Sequence, residues 1–208
     1  METPGIVRFY DRLGRRYDWF SFYEGRAKEL ARTWLTLRPG LRLLNVGVGT
    51  GKEHAQLQEA LAPIGFIMGV DLSSVMVSLA KERSQGPHLQ ADARALPIAA
   101  ECFDRIYCAY VLDLLPTASL LNVLAGFRRV LKRGGQAVIL SLTEGIDLPS
   151  RTLVAAWKKV YALNPLACGG CRPLQLVELA EAAGFTILKR QVVVQLAVPS
   201  ELILAFRP

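Results

Sequence analysis

The stretch from Leu41 to Gly51, Leu-Arg-Leu-Leu-Asn-Val-Gly-Val-Gly-Thr-Gly, constrains the fold more than any other part of the chain. A short apolar run behind Pro39-Gly40 reads as a buried strand. Three alternate glycines, Gly47, Gly49 and Gly51, then allow a sharp turn and a close approach of a ligand to the backbone. A helical pattern follows from Lys52 to Leu61, with Pro63 just past its end. Strand, glycine turn and helix form the unit on which parallel sheets bind small molecules. The spacing excludes two ligand classes. A dinucleotide site needs a glycine at position 52, which is Lys52; a phosphate loop needs glycine at Val46 and Ser or Thr at Glu53.

The remaining pattern, Gly-x-Gly-x-Gly after a strand, is followed by others in order. Ile64 to Val70 reads as a second strand ending in Asp71, where a carboxylate can accept charge-assisted hydrogen bonds from both hydroxyls of a ribose. Leu72-Ser73-Ser74-Val75-Met76 opens a helix through Arg83, capped by Ser73 or Ser74. Leu89-Gln90-Ala91-Asp92-Ala93, Phe103 to Tyr110 and Val130 to Leu140 supply three more strands or strand ends. Together these segments resemble the class I S-adenosylmethionine-dependent methyltransferases of the type 11 kind.

That resemblance implies an α/β fold: a Rossmann-like, mostly parallel seven-stranded sheet of order 3-2-1-4-5-7-6, strand 7 antiparallel, with helices on both faces. It implies S-adenosylmethionine as cofactor and S-adenosylhomocysteine as product. By the same resemblance Gly47, Gly49 and Gly51 cradle the cofactor and Asp71 takes its ribose. Leu72 and Met76 lie near the adenine, Met76 against its face, while Asp92 receives the adenine amino group beside Ala93. Tyr17 and Tyr110 complete the cofactor set. Asn45 stands where the family usually has an acid for the methionine amino group. It keeps a carbonyl acceptor without the charge, so binding is expected to be weaker by about 1 kcal/mol.

At 208 residues, 51% of them hydrophobic, the chain is expected to form one domain, 1–208, with a core that needs no staples. Its parts are an N-terminal lid over 1–37, a cofactor core over 41–142, and a substrate cap with a hairpin over 143–208. No run reaches the roughly 18 apolar residues of a membrane span, and no signal-like start appears, so the expected place is the cytoplasm, with peripheral membrane contact left open. The net charge of +7 is uneven: eight basic residues lie between Arg128 and Arg172 against Glu144 and Asp147. Nucleic acid, an anionic membrane, an acidic substrate or solubility alone would account for it. Amino methylation of nucleobases is disfavoured, because that chemistry commonly shows Asn/Asp-Pro-Pro-Tyr where this chain has Cys108-Ala109-Tyr110-Val111.

Tyr10-Asp11-Arg12-Leu13-Gly14-Arg15-Arg16-Tyr17-Asp18 resembles the Tyr-Asp-x-x-Ala-x-x-Tyr-Asp opening of small-molecule methyltransferases, there a lid over cofactor and substrate. Glycine for alanine weakens its helix by roughly 1 kcal/mol. The surrounding aromatics, Phe9, Trp19, Phe20, Phe22 and Tyr23, suit a lid, plain core packing or a membrane-interfacial segment. A helix over 24–37 should cover one sheet face. His54, in the first turn of the next helix, reads as surface rather than as a base, and His88 as structural.

Tyr110 and Asp113 follow strand four at the carboxyl edge of the sheet, where ligands bind, and are the catalytic candidates; Asp113 equally suits a turn cap before Pro116. Residues 117–131 read as a helix with Leu120, Leu121, Leu124, Phe127 and Val130 inward, stopped by Gly134-Gly135. Glu144 ends strand five at the ligand edge. Cys168 and Cys171 lack further ligands nearby, so no metal is expected and the pair reads as a shaped loop. Strands from Gly184 to Val194 and Glu201 to Phe206, joined through Pro199-Ser200, make an antiparallel pair, with 195–200 facing the site.

Methyl transfer from a sulfonium asks a protein mainly to align the acceptor and exclude water. Three readings stand: methylation of a small lipophilic or quinone-like acceptor, resembling the ubiquinone and menaquinone enzymes; methylation of a phosphatidylethanolamine-type headgroup at a membrane surface; and a non-catalytic scaffold that binds S-adenosylmethionine. Oligomeric state is not readable.

Overall fold

The computed structural model describes residues 3–20 and 22–208; the side chains of Thr3, Pro4 and Phe20 lie outside the described ones, and with Phe20 one of the expected lid aromatics. Seven strands form one sheet: β1 Arg42–Val46, β2 Phe66–Asp71, β3 His88–Gln90, β4 Phe103–Ala109, β5 Leu131–Leu142, β6 Thr186–Gln195 and β7 Val198–Phe206. Their order is β3-β2-β1-β4-β5-β7-β6. The pairs among β1 to β5 are parallel, and β7 runs antiparallel to both neighbours. The helices are α1 Thr3–Leu13, α2 Tyr17–Phe20, α3 Gly25–Trp34, α4 Lys52–Leu61, α5 Ser74–Arg83, α6 Leu120–Val130, α7 Leu148–Leu163 and α8 Leu176–Ala182.

Strand periodicity splits the core into two layers. Leu43, Tyr107, Val138 and Leu140 meet Ala27, Ala31 and Leu35 of the α3 region and Leu57 and Leu61 of α4. Their neighbours Leu44, Ile106, Ile139 and Ile203 point the other way, onto Leu120, Leu124 and Phe127 of α6 and Leu176 and Ala180 of α8. A sheet covered on both faces explains why its central strands read as unbroken apolar runs.

Three expectations are corrected. The helix before β5 stops at Val130, where Leu131 turns extended and pairs with Phe103, so Gly134 and Gly135 lie inside β5 at an irregular register rather than ending α6. On α6 the inward residue is Val123, not Leu121, which is 48% exposed; steps of three and four from Leu120 reach Val123, Leu124 and Phe127. The β6–β7 turn is Leu196-Ala197, both with left-handed φ (52° and 64°), so Pro199 and Ser200 belong to β7. Two-residue hairpins favour that twist, but they usually announce it with Asn or Gly.

Gly14, with φ +48°, breaks the N-terminal helix into α1 and α2. The two aspartates of the Tyr-Asp repeat then pin this segment onto the sheet edge. Asp11 accepts from the Ser73 hydroxyl, which also caps α5 by accepting from the Met76 amide at 3.0 Å. Asp18 accepts from Thr50 Oγ1 at 2.6 Å, and Arg83 Nη1 donates to both, at 2.6 Å and 2.9 Å. From the other end of the chain, Gln195 accepts from the Arg26 amide at 3.0 Å and donates to the Phe22 carbonyl at 3.1 Å.

Candidate functional site

Two cavities adjoin at the carboxyl edge of the sheet. The first is bounded by the glycine loop, the end of β2 and residues Ile6, Val7, Tyr10 and Tyr17 of α1 and α2. Tyr17, Asn45, Gly47, Gly49, Asp71, Leu72, Met76, Ala93 and Tyr110 all border it. β1 delivers Asn45 to the edge, and the turn begins at once because Gly47 takes φ +74° while its amide bonds the Val70 carbonyl at 2.8 Å. A side chain at Gly49 would meet nothing within 4 Å, so the loop leaves open room above itself.

Asp71 holds this turn to the next. Its Oδ2 accepts from the Gly49 amide at 2.9 Å and its Oδ1 from the Ser73 amide at 3.0 Å. Burial raises its pKa, and these backbone donors oppose the rise. Leu72 and the 2%-exposed Met76 give the same cavity an apolar wall.

Three expected site residues lie elsewhere. Gly51 begins α4 with φ +83°, and a Cβ there would sit 2.6 Å from the Ala80 Cα, so this glycine serves the α4–α5 contact rather than the cavity. The Asp92 carboxylate is taken up by the Arg94 guanidinium at 2.9 Å and by the Arg94 amide at the same distance, which lowers its pKa; its neighbours Ala91 and Ala93 border the cavity instead. Asp113 borders neither cavity and caps no turn. It is fully buried, its Oδ2 accepts from the Leu142 amide at 3.3 Å, and burial pushes its pKa up to about 7. Glu144, expected at the ligand edge, is exposed and paired with Lys158.

His54 is also a correction. It is wholly buried, with Nδ1 3.3 Å from the Asn45 amide nitrogen and its ring 4.7 Å from that of His88. Gly69 on β2 leaves the space: a Cβ there would lie 3.1 Å from the imidazole. Burial, with His88 adding to it, lowers the His54 pKa from 6.5 to about 4. Below pH 6.5 the unfolded chain binds this proton and the folded one does not, so stability present at pH 7 is lost as pH falls toward 4. The loss attributable to His54 is expected to be about 2 kcal/mol by pH 5. Urea unfolding of the wild type and His54→Asn at pH 7 and pH 5 measures it; an unchanged difference between the two proteins would refute a neutral buried imidazole.

The second cavity, of about 430 Å³, is bounded by Phe9, Tyr10, Leu13, Tyr17, Tyr23, Glu24, Tyr110, Trp157 and the loop from Leu166 to Cys171. Tyr10, Tyr17 and Tyr110 border both cavities. Tyr110 is held in a left-handed conformation (φ +55°), its amide on the Leu140 carbonyl and its hydroxyl 2.6 Å from Ser200 Oγ. Such strain at a sheet edge is typical of sites that must hold one side chain in place. The Tyr10 hydroxyl donates to the Gly169 carbonyl at 3.1 Å, so the Cys-Gly-Gly-Cys loop is indeed a shaped wall, with Cys171 Sγ 3.9 Å from that hydroxyl.

A buried charged cluster joins the cavities. Lys28 Nζ lies 2.8 Å from Glu24 Oε2 and 3.2 Å from Glu53 Oε1. Burial alone would lower the Lys28 pKa, but Glu24 and Glu53 outweigh it and the ammonium is held above its ordinary range. Glu24 is pushed up by burial against the pull of Lys28. In sequence this is an ordinary i,i+4 pair; the sign of burial was the position of Lys28 beside Ala27 and Ala31 on the inward stripe.

Much of the basic segment is used internally: Arg129 donates to the Leu96 and Ile98 carbonyls, Lys132 pairs with Asp104, Lys158 with Glu144, and Arg172 donates to the Asp113 carbonyl. Among the described residues no helix is long and apolar enough to cross a membrane.

Residues 44–139 match the family described as Methyltransferase domain. Over 177 residues the chain is 32% identical to a 2-phytyl-1,4-naphtoquinone methyltransferase of Trichormus variabilis, covering 79% of this chain and 76% of that protein. It is 29% identical to a demethylmenaquinone methyltransferase of Staphylococcus aureus over 76% of its own length and 63% of that protein's. A solved S-adenosylmethionine-dependent methyltransferase of Thermotoga maritima superposes with a TM-score of 0.73, at 19% identity, over 98% of this chain and all of the other. Strand order, glycine loop and these likenesses agree: the chain belongs to the class I S-adenosylmethionine-dependent methyltransferases, enzymes whose cofactor is S-adenosylmethionine.

Proposed function

We propose that this enzyme methylates a small, lipophilic, quinone-like ring. The observation that supports the reading is the second cavity, walled by aromatic rings and sharing Tyr10, Tyr17 and Tyr110 with the cofactor cleft. Its size falls within the few hundred Å³ usual for small organic ligands.

The residues of the first cavity suit the cofactor's chemistry. Asp71 suits a ribose diol, Met76 and Leu72 an adenine face, and the backbone at Ala93 its edge. Lys28 offers a cation to a carboxylate, while Glu53 and the Asn45 carbonyl offer acceptors to an ammonium, so the zwitterionic end of the cofactor finds partners of both signs. Bound there, the cofactor supplies an electrophilic methyl on a sulfonium. The chain aligns the acceptor against it and keeps water out: residues 1–37 act as the lid, 41–142 hold the cofactor, and 143–208 close the acceptor side. Tyr110, braced by Ser200, positions the acceptor between the two cavities.

Trp19 and Phe22, 78% and 63% exposed, flank the cavity-lining Tyr17 and Tyr23 in sequence and suit entry of an acceptor carried by a lipid phase. The test is methyl transfer from labelled S-adenosylmethionine to reduced naphthoquinones and, separately, to phosphatidylethanolamine vesicles, with flotation of the protein on both. Turnover of the naphthoquinols is expected. Turnover of the headgroup alone would replace this reading with a membrane N-methyltransferase.

A further inference from the structure

Methylating a hydroxylated ring releases one proton, and a carboxylate on the cavity wall is placed to take it. Among the described residues that border the acceptor cavity, Glu24 is the sole carboxyl. It is 3% exposed, and its Oε2 receives the Tyr17 hydroxyl at 3.4 Å and the Lys28 ammonium at 2.8 Å. Behind Lys28 stands Glu53, on the cofactor side. Two carboxylates about one ammonium leave the cluster a net negative charge where a sulfonium is to be held.

We propose that Glu24 accepts the proton of the acceptor's ring hydroxyl, and hence that the acceptor is a hydroxylated aromatic ring. The proposal rests on the acceptor reading of the second cavity. As the O–H bond breaks, its electron pair forms the new bond to the methyl carbon, either at oxygen or through the ring at the adjacent carbon, whose own proton then returns to the oxygen. The sulfur–carbon pair stays on sulfur, and the released proton stays on the Glu24 carboxylate.

The other groups facing Glu24 are unsuited to this role. Burial pushes the phenols Tyr10, Tyr17, Tyr23 and Tyr110 and the thiol of Cys171 upward, so all remain protonated at neutral pH. Asp113, coupled electrostatically to Glu24, sits behind the wall on the Leu142 amide. The Lys28 ammonium at 2.8 Å favours the charged form of Glu24, while burial, the larger effect, leaves Glu24 more basic than an exposed carboxylate.

The test is Glu24→Gln in the full chain, with S-adenosylhomocysteine affinity, melting temperature, and kcat for a reduced naphthoquinone from pH 6 to 10. Affinity is expected to stay within about tenfold while kcat at pH 7 falls about 10²- to 10⁴-fold. The loss should shrink tenfold per pH unit as the ring hydroxyl ionises by itself, and Glu24→Asp should recover part of the rate. Glu24→Gln with wild-type kcat, or with a loss equal at every pH, overturns the assignment of Glu24. A wild type that binds S-adenosylhomocysteine yet turns over no hydroxylated ring overturns the acceptor class itself, and the proposal with it.

Discussion

Asp71→Ala is expected to weaken S-adenosylhomocysteine binding at least about 100-fold, because two charge-assisted hydrogen bonds are each worth roughly 1.5–3 kcal/mol. The carboxylate has two tasks. It holds the Gly49 and Ser73 amides, fixing the glycine loop relative to the start of α5, and in the reading proposed above its remaining lone pairs serve the ribose. Alanine removes both, leaving two inward-pointing amides without their acceptor. Asp71→Asn separates the tasks: its carbonyl keeps one amide, but its NH2 confronts the other, and a loss of about tenfold is expected. Calorimetric titration with S-adenosylhomocysteine checks both, with melting curves to show that the fold persists. Affinity in Asp71→Ala within threefold of wild type would remove Asp71 from the cofactor site.

The three glycines of the loop are expected to answer substitution in different ways. In Gly51→Ala the new methyl carbon would sit 2.6 Å from the Ala80 Cα, backbone that cannot swing aside, in a left-handed conformation besides. Left-handed cost and overpacking together amount to about 2–5 kcal/mol, or roughly 4–20 °C in Tm for a chain of this size. In Gly47→Ala the obstacle is Val111 Cγ2, a side chain, so Val111→Ala should restore part of the stability. In Gly49→Ala nothing stands within 4 Å, and the fold should lose only about 1–2 kcal/mol for the backbone. Its methyl would crowd the cleft, so cofactor affinity should fall more than Tm. Thermal melts with and without S-adenosylhomocysteine separate the cases; a Gly51→Ala protein melting within 3 °C of wild type would contradict the packing described for α4 on α5.

The core was legible because its code is local. Buried parallel strands are continuous apolar runs, the glycine spacing fits few ligands, and the acid ending the second strand stands beside the glycine loop that it holds. Part of what escaped depends on contacts between distant segments. The imidazole of His54 is buried by a missing side chain at Gly69 and by His88, neither visible from its own helix. Lys28 looks like a surface lysine until Glu53, on another helix, is brought against it. Asp92 was assigned by resemblance, but Arg94, two residues on, takes its carboxylate. The third glycine belongs to the loop in sequence and to a helix contact in space. Leu196-Ala197 turns a hairpin without the residues that advertise one, so the turn was expected three residues late.

The contact of Gln195 with Phe22 and Arg26 also bears on assembly. Residues 41–142 contain the glycine loop and Asp71, with five strands nearly contiguous in sequence. The second cavity, proposed above for the acceptor, is by contrast bordered by Glu24 near one end of the chain, and Tyr110 on its wall is braced by Ser200 near the other. During synthesis the hairpin that carries Gln195 emerges after everything else it touches. Contacts spanning some 170 residues close late in folding, since their loop entropy is met only once the intervening chain is in place. A ribosome-bound chain should therefore gain the ability to retain S-adenosylmethionine before it gains a place for the molecule to be methylated.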